Sequence, residues 1–338
     1  MKSILIVKIG AIGDAVMALP LISEIRKKHP ETKITWLCGK QILPMLERVE
    51  GIDELIPVDE NKILKSAIPV RMLEILRIWS RLFLRRFDCQ LYFYKSAFYR
   101  ILTAPVIFKE TRGFRGKTTG SRLPVQGRHH SHEYIRAFLG AGGPDNFQPE
   151  YPGIRHIPVR SANGNQRKKI VFACGGARNI LQNNDLRRWP LKHYANLAAR
   201  IAAAGHEIVL TGGPGDTWVR EEFGQIPHTD LIGKLLLNEF IDFLATADLL
   251  ITHDSGPLHL ADLAACPVLG LFGPTRPADF KSLQAASAFI WGGEFLSCRP
   301  CYDGKDYGRC SSNECLQSIT PEEVFQKTQE MLQRNSLQ

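Results

Sequence analysis

Twice in this chain a short apolar run rich in β-branched residues breaks into a glycine turn and resumes as a helical pattern. The first run is Ile4-Leu5-Ile6-Val7, which ends at Gly10-Ala11-Ile12-Gly13; after Asp14, Val16, Leu19, Ile22 and Ile25 recur at helical spacing. Ile34 to Cys38 ends at Gly39, Ile42 to Val49 reads as helical, and Glu54 to Val58 reads as a strand. Strands that are apolar throughout, alternating with helices over short links, predict a parallel sheet covered by helices on both faces.

The pattern restarts downstream. Lys169 to Cys174 ends at Gly175-Gly176, Leu191 to Ala203 is a helix, and Glu207 to Thr211 ends at Gly212-Gly213-Pro214-Gly215. Phe240 to Ala247 is helical, and Leu249 to Thr252 runs through His253-Asp254-Ser255-Gly256-Pro257 into a helix. Val268 to Phe272 is one more strand, and Pro321 to Gln333 a final helix with Thr320 as its cap. Between the series, residues 144–168 hold Pro144, Pro149, Pro152, Pro158 and the turn-rich Ser161 to Asn165, the signature of a linker. The expected organisation is an α/β domain over 1–160, a second over 161–320, and a terminal helix over 321–338. Ligands of such sheets lie beyond the carboxyl ends of the strands, so two halves face to face would enclose a cleft.

The 338 residues suit about two domains. No apolar run approaches the roughly 18 residues of a membrane span. Ile4 to Val7 is too short for a signal-peptide core and leads straight into Lys8, so a cytoplasmic protein is expected. The net charge of +9 is unevenly placed: residues 62–136 hold 16 Lys/Arg against 4 Asp/Glu. Such a stretch points to an anionic partner: nucleic acid, an anionic lipid surface or a phosphorylated substrate. Within it, Pro69 to Phe87 reads as an amphipathic helix, with Leu73, Leu76, Trp79 and Phe83 on one face and Arg71, Arg77, Arg81, Arg85 and Arg86 as its charge. Packing of that face on the sheet is expected, and a basic membrane-facing helix is the alternative.

Several residue groups could carry chemistry. Gly10 and Gly13 let the backbone approach a ligand, and Asp14 at the helix start could take a proton from an acceptor hydroxyl or simply cap the helix. A dinucleotide fingerprint is disfavoured, because the second strand ends Trp36-Leu37-Cys38-Gly39 with no acid for a ribose. Gly116-Lys117-Thr118 is no phosphate loop, since Thr111 stands where the first glycine is needed. Ser255, Gly256 and His259 lie where a helix N-terminus could hold phosphate, and Asp254 beside them suits sugar hydroxyls. A capped helix with a core histidine is the alternative. Arg187 and Arg188 could fork onto a diphosphate. Cys298, Cys301, Cys310 and Cys315, spaced C-x2-C-x8-C-x4-C, read either as a structural zinc site or as free thiols.

In order and spacing, "ILIVKIGAIGDAVMALPLISEIRKKHP", "RRWPLKHYANLAARI", "IVLTGGPGD", "ITHDSGPLHLADLAACPVLGLFGPT" and the closing "CRPC…C…CLQSITPEEV" resemble glycosyltransferase family 9, the heptosyltransferases of the lipopolysaccharide core. The resemblance covers nearly the whole chain. It implies a GT-B architecture, two Rossmann-like domains facing across a cleft, with the last helix crossing back onto the N-terminal domain. It implies inverting, metal-independent transfer of a heptose from ADP-heptose to an anionic lipid-linked saccharide, at or near the inner face of the inner membrane. By that carry-over Asp14 is the general base, Arg187 replaces a phosphate-binding lysine, and Asp254 holds donor hydroxyls. Ser255, Gly256, His259, Arg188 and Gly213 complete the donor site. Gln182, Asn183 and Asn184 replace small hydroxylated residues, and Phe93-Tyr94-Lys95 lacks an acidic–Gln pair. The competing readings are a transferase with another nucleotide-sugar, a GT-B nucleotide-sugar epimerase, and a nucleic-acid binder; no nucleic-acid module supports the last.

Overall fold

The computed structural model describes residues 1–94, 97–114, 125–140, 148–158, 167–177, 184–303 and 307–336. Gly116-Lys117-Thr118, Lys95, Gln182, Asn183 and much of the expected linker lie outside them. The chain divides into two units, Met1–His156 and Ile157–Gln338.

The first unit is built on five parallel strands: β1 (Ser3–Val7), β2 (Lys33–Gly39), β3 (Glu54–Val58), β4 (Arg86–Tyr92) and β5 (Ile107–Gly113). Their order is β3-β2-β1-β4-β5. Its helices are α1 (Ile12–Ala18), α2 (Pro20–Lys28), α3 (Leu43–Leu46), α4 (Glu60–Leu64), α5 (Ile68–Leu82) and α6 (His130–Leu139). Ile4 to Val7 are wholly buried because β1 is central and covered on both faces. The order reverses direction between β1 and β4, and at that switch point the carboxyl ends of both strands leave a crevice.

The second unit repeats the plan with six parallel strands: β6 (Lys169–Ala173), β7 (Glu207–Leu210), β8 (Thr229–Asp230), β9 (Leu249–His253), β10 (Val268–Phe272) and β11 (Ala288–Trp291). The order β11-β10-β9-β6-β7-β8 is that of a dinucleotide-type sheet, with its switch point between β6 and β9. The helices are α7 (Leu191–Ala203), α8 (Leu237–Ala245), α9 (Gly256–Leu263), α10 (Pro277–Phe280), α11 (Glu314–Gln317) and α12 (Pro321–Ser336).

Three expectations change. The terminal helix, expected to pack back on the N-terminal domain, places Val324, Met331 and Leu332 in the core of the second unit. There they join Trp189 and Ile201, and Trp189 donates its indole N–H to the Ile319 carbonyl at 3.0 Å. The described end of the expected linker is knitted to the first unit: Glu50 N donates to Gly153 O at 2.8 Å and Arg155 N to Arg48 O at 2.9 Å. The third change concerns α5. Ile75, Ile78 and Leu82 pack into the core, while Leu73, Leu76 and Phe83, read as the buried face, are exposed. Helical periodicity finds an apolar stripe but cannot choose between two when a helix carries both.

Candidate active site

In the first unit the crevice between β1 and β4 is lined by residues just past each strand. Lys8 continues β1 inward and is almost completely buried. Its ammonium lies 2.6 Å from Asp14 Oδ2, with side-chain exposures of 4% for Lys8 and 39% for Asp14. An unpaired ammonium at that depth would cost several kcal/mol, on the order found for buried charges, so the carboxylate is what permits the lysine there. Burial acts to lower the Lys8 pKa, but Asp14 and Tyr134 outweigh it and the net shift is upward. Ala11, not Asp14, occupies the cap position of α1; Asp14 sits in the first turn, where a negative charge suits the helix dipole. The helix-capping alternative therefore does not describe this residue.

Tyr94, just beyond β4, closes the turn by accepting from Ile9 N at 2.7 Å and Gly10 N at 3.1 Å. Glu60 leans over the same turn from α4. A methyl group at Gly10 would lie 2.6 Å from its Oε1, and one at Gly39 would lie 2.5 Å from its Oε2. Gly10 is thus a glycine because a carboxylate occupies the space of its side chain. Burial pushes the Glu60 pKa up to about 7, against an opposing pull from Lys8.

In the second unit the crevice between β6 and β9 holds a more deeply buried set. Asp254 follows β9 with 2% side-chain exposure and faces Arg187 Nη2 at 2.9 Å from its Oδ1. Among the described residues Asp254 Oδ2 has no hydrogen-bond partner, while Oδ1 is paired with the Arg187 guanidinium. Arg187 Nε is likewise buried without a hydrogen-bond partner among the described residues. His259 Nε2 lies 3.9 Å from Asp254 Oδ1. Ser255 occupies the cap position of α9 without capping it; its hydroxyl is 3.4 Å from Thr252 Oγ1. Burial, reinforced by Arg187 and Arg188, pushes the His253 pKa down to about 3, and Tyr194 OH meets its Nδ1 at 3.1 Å. Tyr307 reaches in from the segment after β11 to hydrogen-bond Arg187, and its ring lies 4.8 Å from that of Tyr302.

Arg187, Asp254 and His259 therefore converge, with Ser255 and Gly256 opening the helix beside them. Two other candidates are engaged elsewhere. Arg188 donates to Gly176 O at 3.1 and 2.8 Å from its Nε and Nη2, pairs with Asp185 and covers the Trp218 ring. Gly213 N donates to Asp216 Oδ2 at 2.8 Å, and Gly176 N to Asp216 Oδ1 at 3.0 Å. Both candidates hold the loops beyond β6 and β7 in shape. Among the described residues no three His, Cys, Asp or Glu side chains are arranged to hold a metal. Cys298, Cys301, Cys310 and Cys315 nevertheless lie near enough to act on one another's charge, so the metal-site and free-thiol readings both stand. Cys315 is buried in α11 against Gly273 and Gly293, whereas Cys298 and Cys310 are exposed.

Sequence reasoning missed Lys8, Glu60, Tyr94, Asp216 and Tyr307. Lys8 alone had a local signal: a lysine closing an otherwise apolar strand must find a counter-charge or lose its proton.

The model of glycosyltransferase family 9 (heptosyltransferase) matches residues 144–309, about half the chain. The lipopolysaccharide core heptosyltransferase OpsX of Haemophilus influenzae is 24% identical over 304 residues, covering 84% of this chain and 83% of that protein. A family 9 glycosyl transferase from Veillonella parvula superposes with a TM-score of 0.74 at 21% identity, covering 98% of both chains. The Escherichia coli heptosyltransferase WaaC, solved with ADP, superposes with a TM-score of 0.72 at 18% identity, covering 97% of this chain and 99% of that one. The fold is accordingly the GT-B fold of these enzymes. Two parallel sheets of this order, each with polar residues at its switch point, together with these matches identify the chain as a member of glycosyltransferase family 9, a glycosyltransferase.

Proposed function

We propose that the protein transfers a heptose from ADP-heptose to a lipid-linked saccharide of the lipopolysaccharide core, at the inner face of the inner membrane. The observation that carries the reading is Asp254: a carboxylate 2% exposed, paired with Arg187 through Oδ1, whose Oδ2 has no hydrogen-bond partner among the described residues. Burying such a group is costly unless donors are supplied, and the hydroxyls of a sugar supply them. Arg187 beside it provides a fork for a diphosphate, and the N-terminus of α9 adds a favourable dipole. In this reading Asp14 takes the proton of the acceptor hydroxyl, Arg187 with Ser255, Gly256 and His259 steadies the departing diphosphate, and no metal enters the step. The sugar inverts, because attack and departure occupy opposite faces of one carbon.

The test is to incubate the protein with ADP-heptose and heptose-deficient lipopolysaccharide in the presence of EDTA. ADP release that requires the acceptor, with a heptose added to it, supports the reading. Consumption of ADP-heptose without acceptor would replace it with an epimerase or hydrolase. Turnover of a different nucleotide-sugar alone would keep the transferase and remove the heptose.

A further inference from the structure

Helix α5 is apolar on two sides. One side, with Ile75, Ile78 and Leu82, is in the core of the first unit. The other is largely uncovered among the described residues: Leu73 is 67% exposed, Leu76 51%, and Phe83, one residue past the helix, 65%. With Ile68 and Met72, also exposed, these fall within about 140° of arc at 100° per residue, next to the narrower arc of Ile75, Ile78 and Leu82. The surface continues beyond the helix. Trp79 Nε1 donates to Ile101 O at 2.7 Å, which holds the exposed Ile101 next to α5. Isolated apolar residues on a surface need no explanation, but a contiguous stripe along a whole helix does.

The charge around the stripe identifies what covers it. Lys62, Lys65, Arg81 and Arg86 are exposed and have no ion pair among the described residues. The single acid of α5, Glu74, is buried and paired with Arg77 at 2.6 Å. From Lys62 to Arg86 the chain therefore shows an apolar stripe on α5 bracketed by exposed cations, at Lys62 and Lys65 before it and at Arg81 and Arg86 after it, with Glu74 the single acid of the segment. A second copy of the chain meeting this face about a two-fold axis would set these cations against one another.

We infer that the outer face of α5, with Phe83, Leu84 and Ile101, is a docking surface for an anionic lipid bilayer. The helix, roughly 22 Å long at 1.5 Å per residue, lies in the interface plane. Leu73, Leu76 and Phe83 enter the acyl boundary while Lys62, Lys65, Arg81 and Arg86 meet the anionic headgroups. This deepens the proposal that the acceptor is lipid-linked, yet it is tested without any acceptor, so the two can fail separately.

The experiment is co-sedimentation of the full-length protein with vesicles of phosphatidylcholine containing phosphatidylglycerol, and with phosphatidylcholine alone. Binding should favour the anionic vesicles and weaken, without vanishing, as salt rises. Leu73→Ser combined with Leu76→Ser and Phe83→Ser should lower the affinity about tenfold or more. Arg81→Ser with Arg86→Ser should lower it by a similar factor at low salt and by less at high salt. All five side chains are exposed or flank the stripe, and unchanged thermal unfolding and ADP binding would verify that the fold is intact. The inference fails if the wild type does not prefer anionic vesicles, or if both variants bind like the wild type. It fails equally if the wild type is a dimer in solution that the serine variant converts to monomer, since the stripe would then face another copy.

Discussion

The two switch points carry the same kind of pair, a basic side chain against a carboxylate, with burial reversed. In the first unit the cation is sealed and the anion shows: Lys8 is 4% exposed and Asp14 39%. In the second the anion is sealed and the cation shows more: Asp254 is 2% exposed and Arg187 21%. Each pair anchors its accessible member with a buried partner of opposite sign. One crevice thus presents a carboxylate suited to taking a proton, the other a guanidinium suited to an anionic leaving group. The same topology is used twice, and the sign of the buried residue decides which chemistry each copy offers.

The largest test of this difference is Asp14→Asn. If the carboxylate is the base, turnover should fall by about 10³-fold, within the range for lost general-base catalysis, while ADP-heptose affinity measured by calorimetry stays unchanged. Loss of donor binding in parallel would mean that Asp14 serves structure and not proton transfer.

Next comes stability. Arg187→Met leaves a carboxylate buried without its cation and should cost about 3 kcal/mol in urea unfolding. Lys8→Met leaves Asp14 where water can solvate it, and should cost less than about 1 kcal/mol. Equal costs would show that the reversed burial has no energetic meaning.

The parallel strands were legible because a strand covered on both faces is apolar at every position, as in Ile4 to Val7 and Leu249 to Ile251. Helix starts were legible wherever glycine turns followed those strands. Asp14, Arg187, Asp254, Ser255 and His259 could be proposed because each falls within about one helical turn of a strand-to-helix junction or just before a helix. Their competitors could not. Arg188 and Gly213 look like ligand-binding residues locally, but the Gly176 carbonyl and Asp216 that engage them come from other loops. Glu60 lies 50 residues from Gly10 in sequence, and only the pairing of β1 with β2 and of β2 with β3 brings α4 over the turn. The face of α5 was misjudged for a different reason: both its stripes are apolar, and only the sheet selects Ile75, Ile78 and Leu82.

The pH dependence separates the crevices by sign. His253 is held neutral, with its pKa pushed down to about 3 by burial and by Arg187 and Arg188. Below its ordinary value of 6.5 the unfolded chain binds a proton that the folded one refuses, so stability present above pH 6.5 is lost as pH falls toward 3. By pH 4.5 this should amount to about 3 kcal/mol, read as the difference in urea-unfolding free energy between the wild type and His253→Gln across that window.

Glu60 runs the other way and is the smallest effect. Its pKa rises from 4.5 to about 7, burial being the main cause, with Asp59 adding to it and Lys8 opposing. The folded state here holds a proton that the unfolded chain has released. The contribution is therefore intact below pH 4.5 and is lost as pH rises through 7. Because the side chain is only partly buried, solvent screening reduces the cost of the ionised form to about 1 kcal/mol. Glu60→Gln, which keeps the shape over Gly10 and Gly39 and removes the charge, should raise stability by that amount at pH 8 and leave it unchanged at pH 4. A variant that gains nothing at pH 8 would place the ionised Glu60 in favourable contact with Lys8, and the first crevice would then hold two carboxylates on one ammonium instead of a single pair.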